Sequence, residues 1–122
     1  MTKVMIVDDE PDVVELVKEI LTGEGYDVVG VESGDECFKK LETESFDLIL
    51  MDFFMPGMDG RRVIEKIREN PDLKDVKIVF LTSAAFRGRG MKIIEELNIL
   101  DYIPKPIEMD DFISRIKKIL KK

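Results

Sequence analysis

Residues 47–52 read Asp-Leu-Ile-Leu-Met-Asp, four apolar residues held between two aspartates. Leu48–Met51 is too short for a helix and has no polar side, which is the pattern of a strand buried on both faces. Similar short runs stand at Val4–Val7, Val28–Val31, Ile78–Leu81 and Tyr102–Ile103, several of them rich in β-branched residues. Asp47 reads as the residue that starts its strand, whereas Asp52 sits where the strand ends.

The segments between these runs carry helical spacing. Val13, Leu16, Val17, Ile20 and Leu21 share one face, followed by Gly23 and Gly25 as stop signals. Ser33 and Glu36 are spaced as a capping box for a second helix, with Phe38 and Leu41 as its apolar contacts. Val63, Ile64 and Ile67 mark a third helix, with Asp59 as its N-cap and Asn70-Pro71 as its end. Ile93, Ile94 and Leu97 mark a short fourth, and Phe112, Ile113, Ile116, Ile119 and Leu120 a fifth. Five strands alternating with five helices predict an α/β fold, (βα)5, with a doubly wound five-stranded parallel sheet. The flavodoxin-like strand order 2-1-3-4-5 would make the first, third, fourth and fifth strands neighbours. The chain has the size of one domain, and no repeat or linker divides residues 1–122.

Composition narrows the chemistry. There is no histidine and a single cysteine, Cys37, among 122 residues. A histidine-based triad, a His-ligated zinc site, an internal disulfide and an all-cysteine metal cluster are therefore excluded, and one free thiol suits a cytoplasmic protein. No apolar run approaches the roughly 20 residues of a membrane span, and no signal peptide is read at the start. A net charge of −7 argues against general nucleic-acid binding. Residues 1–60 hold 16 acids and 4 bases, residues 61–122 10 acids and 15 bases. Charged residues make up 37%, with no glutamine and two asparagines, a bias that suggests a thermophilic source. The closing Lys117-Lys118-Ile119-Leu120-Lys121-Lys122 reads as a solvated helix end favoured by the helix dipole, not as a membrane contact.

Ligands of open parallel sheets lie at the carboxyl ends of the strands. There the sequence places Asp8, Asp9 and Glu10 after the first strand, Asp52 after the third, Thr82 and Ser83 after the fourth, and Lys105 and Pro106 after the fifth. Clustered acids repel one another and call for a cation, and hard oxygen donors select Mg²⁺ or Mn²⁺ over zinc. An ionised aspartate can attack phosphorus without a base, while a lysine and a metal neutralise the transferring oxygens. The chemistry these residue types suit is formation of an aspartyl phosphate.

The motifs Val-Asp-Asp-Glu (7–10), Asp-Leu-Ile-Leu-Met-Asp (47–52), Met-Pro-Gly-Met-Asp-Gly (55–60), Leu-Thr-Ser (81–83) and Asp-Tyr-Ile-Pro-Lys-Pro (101–106) stand in order, each at or just after a strand end. With them the chain resembles, over nearly its whole length, the CheY-like receiver domain of two-component response regulators. The resemblance implies that Asp52 is the phosphoacceptor and that Asp8, Asp9, Asp52 and the Phe54 backbone carbonyl hold Mg²⁺. It implies that Thr82, Lys105 and the Ser83 backbone bind the phosphoryl group. Thr82 and Tyr102 would then act as the switch, and Pro106 would follow a cis peptide.

The phosphoryl donor would be a histidine kinase or a histidine phosphotransfer protein. The output would be a downstream protein target at the face of the fourth helix, fifth strand and fifth helix, or a phosphorylation-dependent homodimer. Such a chain is a stand-alone switch and not an enzyme, apart from self-phosphorylation and slow autodephosphorylation. Phe54 is bulky where many receivers are smaller or polar, and Ala84 offers no side chain to orient water, so a long-lived aspartyl phosphate is expected. Two glycines and two arginines in Phe86-Arg87-Gly88-Arg89-Gly90 predict a short fourth helix and a mobile loop. The rival readings are a degenerate receiver that only binds proteins, a flavodoxin-like flavin binder and an aspartyl-phosphate phosphatase. Acids after the first strand would repel a flavin phosphate, and Phe54 cannot serve as the phosphatase's general acid.

Overall fold

The alternation of strand and helix folds into a five-stranded parallel sheet in the order β2-β1-β3-β4-β5. The computed structural model describes residues 2–53, 60–82, 92 and 94–121. Its strands are β1 (Lys3–Val7), β2 (Asp27–Val31), β3 (Leu48–Met51), β4 (Lys77–Thr82) and β5 (Asp101–Pro104). Its helices are α1 (Pro11–Gly23), α2 (Gly34–Thr43), α3 (Gly60–Glu69) and a C-terminal helix, α4 (Met109–Leu120). Residues 92 and 94–96 are also helical, within the segment that the sequence assigns to its fourth helix. The expectations placed on Phe54, Met55-Pro56-Gly57, Asp59, Ser83, Ala84, Phe86–Gly90 and Ile93 lie outside the described residues.

Alternation along each strand sorts side chains onto two faces, each covered by helices. Met5, Val7, Ile49, Met51, Ile78 and Phe80 pack on one face with Cys37 of α2 and Val63, Ile64 and Ile67 of α3. Val4, Ile6, Leu48, Leu50, Val79, Leu81 and Ile103 pack on the other with Val14, Val17, Ile20 and Leu21 of α1 and with Phe112 and Ile116 of α4. Phe53 meets Phe80 edge-on, with ring centroids 5.3 Å apart.

The face of α1 differs from the sequence expectation, whereas α2 keeps its expected apolar contacts and adds Cys37. In α1 the buried position is Val14, while Leu16 is 44% exposed and Val13 only partly buried. Residues 14, 17 and 21 point at the sheet, which leaves 13 and 16 on the flank beside Pro106 and Ile107. In α2 the buried side chain is Cys37, and Phe38 and Leu41 sit half-buried at the edge of the core. The expected cap of α2 is present but shifted: Ser33 Oγ accepts from Glu36 N–H at 3.2 Å, and Glu36 Oε1 accepts from Glu32 N–H at 3.0 Å instead of from Ser33.

Close approach of α1 to β2 depends on Gly30. A Cβ there would lie 2.4 Å from Val14 Cγ1, and a β-branched valine has little rotamer freedom with which to yield. Gly30→Ala is therefore expected to destabilise the chain by about 1–3 kcal/mol, the usual cost of overpacking, measured by urea denaturation.

Arg68 closes the opposite edge. Its guanidinium donates to the carbonyls of Leu97 (2.9 Å), Lys74 (2.8 Å), Val76 (2.8 Å) and Asn98 (3.1 Å). Burial pushes its pKa down, against the field of Asp75. One side chain thus joins the end of α3 to the turn before β4 and to the turn before β5, where Asn98 adopts a left-handed φ of 56°. Arg68→Ala leaves these carbonyls without their donor and is expected to cost about 2–3 kcal/mol by the same measurement.

Candidate functional site

Strand register brings the site together. Val7 pairs with Met51, Met51 with Phe80, and Thr82 with Pro104, so the residues that end β1, β3, β4 and β5 meet at one edge. Backbone bonds continue the ladder past the strands. Asp8 N–H donates to Val31 O at 3.1 Å, Asp52 N–H to Val7 O at 2.9 Å, and Lys105 N–H to Thr82 O at 2.8 Å. Asp8, Asp52 and Thr82 are the buried polar residues among those described. The Lys105–Pro106 peptide is cis.

Lys105 is the hub. Its Nζ lies 2.7 Å from Asp8 Oδ2, 3.1 Å from Glu10 Oε1 and 3.7 Å from Asp52 Oδ2. Burial alone would push the ammonium down, but its hydrogen bond to Asp8 and the fields of Asp52 and Asp8 hold its pKa above the usual lysine range. Asp8 moves the other way from most paired acids. Its burial outweighs the Lys105 contact and the hydrogen bond from Glu10 N–H (2.9 Å to Oδ1), and its pKa is raised. The pocket therefore resists a carboxylate charge that one lysine does not fully compensate.

Carboxylate oxygens of Asp8, Asp9 and Glu10 come within 4.8 Å of one another. This is an all-oxygen donor set, which fits a hard divalent cation. Asp52 is joined to it through Lys105. Thr82 Oγ1 is fully buried and has no hydrogen-bond partner among the described residues, an arrangement that a ligand oxygen could satisfy. Tyr102 is half-buried against the Phe80 side of the sheet, and its carbonyl accepts from Arg115 at 3.0 Å. Sequence reasoning singled out Asp8, Asp9, Asp52, Thr82 and Lys105, all of which stand at this edge. It placed Glu10 among the acids after the first strand but gave it no part in holding the metal or the phosphoryl group.

A model of the response regulator receiver domain matches residues 4–117. The alkaline phosphatase synthesis transcriptional regulatory protein PhoP of Bacillus subtilis is 33% identical over 121 residues, 98% of this chain and 49% of the relative. The transcriptional regulatory protein CpxR homolog of Haemophilus influenzae is 35% identical over 124 residues, 100% of this chain and 52% of the relative. Among solved structures, the response regulator TrrA of Thermotoga maritima, in complex with Mg²⁺-BeF, is 34% identical with a TM-score of 0.83, covering 98% of this chain and 99% of that one. The chain belongs to the receiver domain family of two-component response regulators. It spans about half the length of the curated relatives it matches.

Proposed function

We propose that this receiver domain is a phosphorylation-controlled switch, with residues 1–122 as one unit and Asp52 as its phosphoacceptor. The single observation that carries the reading is the juxtaposition at one sheet edge of Asp52, the Lys105 ammonium and the buried Thr82 hydroxyl, which has no partner among the described residues. A nucleophile, a cation and a hydrogen-bond donor are what a transferring phosphoryl group needs, because the reaction is mostly positioning and charge stabilisation.

A carboxylate oxygen of Asp52 forms a bond to phosphorus as the bond to the donor breaks. The electron pair of that broken bond leaves with the donor nitrogen of a partner phosphohistidine, or with acetate when the donor is acetyl phosphate. Lys105 moves its donated hydrogen bonds toward the phosphoryl oxygens, and the Thr82 hydroxyl donates to another. Asp8 and Asp9, with Asp52 and the Phe54 carbonyl, would hold Mg²⁺, which supplies positive charge at those oxygens when bound. The Ser83 backbone is assigned to the phosphoryl group as well.

Rearrangement of Thr82 and Tyr102 would carry the change to the surface around β5, where a downstream protein or a second copy of the chain docks. The donor is a histidine kinase or a phosphotransfer protein, since this chain has no histidine. The chain is a signalling element and not a turnover enzyme, because its product is its own modified side chain.

Intact mass spectrometry with acetyl phosphate and Mg²⁺ tests the reading. A gain of one HPO₃, about 80 Da, is expected in the wild type and not in Asp52→Asn, as direct attack by that carboxylate requires. No gain in the wild type, or an equal gain in the variant, overturns it.

A further inference from the structure

Glu10 occupies the N-cap position of α1, where an acidic side chain ordinarily accepts hydrogen bonds from the first free N–H groups of the helix. It makes no such bond. Its backbone carbonyl accepts from Val13 and Val14, its N–H is given to Asp8, and its carboxylate reaches across the chain to Lys105 Nζ at 3.1 Å, 95 residues away. The two partners differ in exposure: the Lys105 side chain is 16% exposed and that of Glu10 61%. Both line a cleft of about 420 Å³ with Val13, Leu16, Pro106 and Ile107, open beside the phosphoacceptor edge.

We propose that Glu10 is a positioning residue that holds Lys105 in the resting chain and, by its charge, sets the balance between cation and phosphodonor at the site. The inference rests on the reading of Asp52 as phosphoacceptor. An ammonium has three protons to donate. In this structure Lys105 directs two of them to Asp8 and Glu10 and lies 3.7 Å from Asp52, so giving more than one hydrogen bond to a phosphoryl group on Asp52 draws it away from one of those partners. Asp8 is buried and cannot turn to water, whereas Glu10 can, at the small cost of an exposed ion pair.

The same carboxylate adds negative charge beside Asp8 and Asp9. It therefore attracts a divalent cation and repels the dianion of a phosphodonor. Removing the charge has opposite consequences for the two ligands, which loss of a merely structural contact would not produce.

Glu10→Gln is the test, in the full chain, with three readouts. Mg²⁺ binding by calorimetry should weaken about two- to fivefold, and the rate of HPO₃ gain from acetyl phosphate at saturating Mg²⁺ should rise about two- to fivefold, the size expected of one exposed charge. In about 1 M KCl, where the screening length falls to roughly 3 Å, the rate ratio should collapse toward one. The thermal midpoint should stay within about 2 °C of the wild type, since surface substitutions change stability little. A wild type that gains HPO₃ at the same rate as Glu10→Gln, a cation affinity equal in both, or a rate ratio unaffected by salt overturns the inference and leaves the phosphoacceptor standing. No gain in either chain overturns the phosphoacceptor reading and this inference with it.

Discussion

Lys105→Ala slows formation of the acyl phosphate from acetyl phosphate by about 10²–10³-fold, the range seen when one preorganised electrostatic donor is removed. The expectation follows from the position of the side chain. Among the described residues, Lys105 is the cation that contacts both Asp8 and Asp52, and three of its ion pairs converge within 3.7 Å. Its backbone N–H is tied to Thr82 O at 2.8 Å, so the stem is anchored at the same edge as the hydroxyl that would share the phosphoryl oxygens. Alanine keeps the backbone anchor and removes the ammonium together with the stem that carries it. Quenched-flow sampling with intact mass as readout measures the rate. A Lys105→Ala rate within a factor of three of wild type would show that the lysine is structural.

Asp8→Asn moves stability and cation binding in opposite directions. The folded chain raises the pKa of Asp8, mainly by burial. For a carboxylate the sign runs against the common case: the charged form is disfavoured by folding, so stability is greatest below the unfolded pKa of about 3.9 and declines as pH rises through the higher folded value. Asparagine has almost the same shape, keeps an oxygen for Glu10 N–H and carries no charge. At neutral pH the metal-free variant should melt roughly 3–6 °C above the wild type, the shift that about 1 kcal/mol gives in a domain of this size. The difference should shrink as pH falls and wild-type Asp8 takes up its proton. Mg²⁺ binding should weaken more than tenfold in the same variant, because a cation site built from one or two carboxylates loses one of them. Scanning calorimetry across pH and a Mg²⁺ titration check the two halves separately, and a lowered melting point would mean that the Lys105 pair outweighs burial.

Much of this was legible before any coordinates. Leu48–Met51 and its four counterparts are short, apolar and bounded by turn residues, a pattern that a parallel sheet between helix layers produces and few other folds do. Once the strands are placed, the residues directly after them are placed too, because the chain has no room to wander between a strand end and the next turn. That is why Asp8, Asp52, Thr82 and Lys105 could be named from sequence.

What escaped depends on side-chain direction and irregular backbone. Leu16 and Val14 both fit a helical period, and only the angle at which α1 crosses the sheet decides which is buried. Glu10 looks like an N-cap acid, and nothing local distinguishes capping from a reach to a lysine 95 residues on. Arg68 binds four carbonyls in turns whose shape leaves no periodic trace in the sequence.

The most direct test of the central claim is to locate the modified residue. Borohydride reduces an acyl phosphate to an alcohol, which turns an aspartyl phosphate into homoserine that peptide sequencing by mass spectrometry can place. After treatment with acetyl phosphate and Mg²⁺, homoserine is expected at position 52. Homoserine at 8 or 9 instead, or a phosphate that borohydride leaves intact on Thr82 or another hydroxyl, would contradict the assignment of Asp52 as phosphoacceptor.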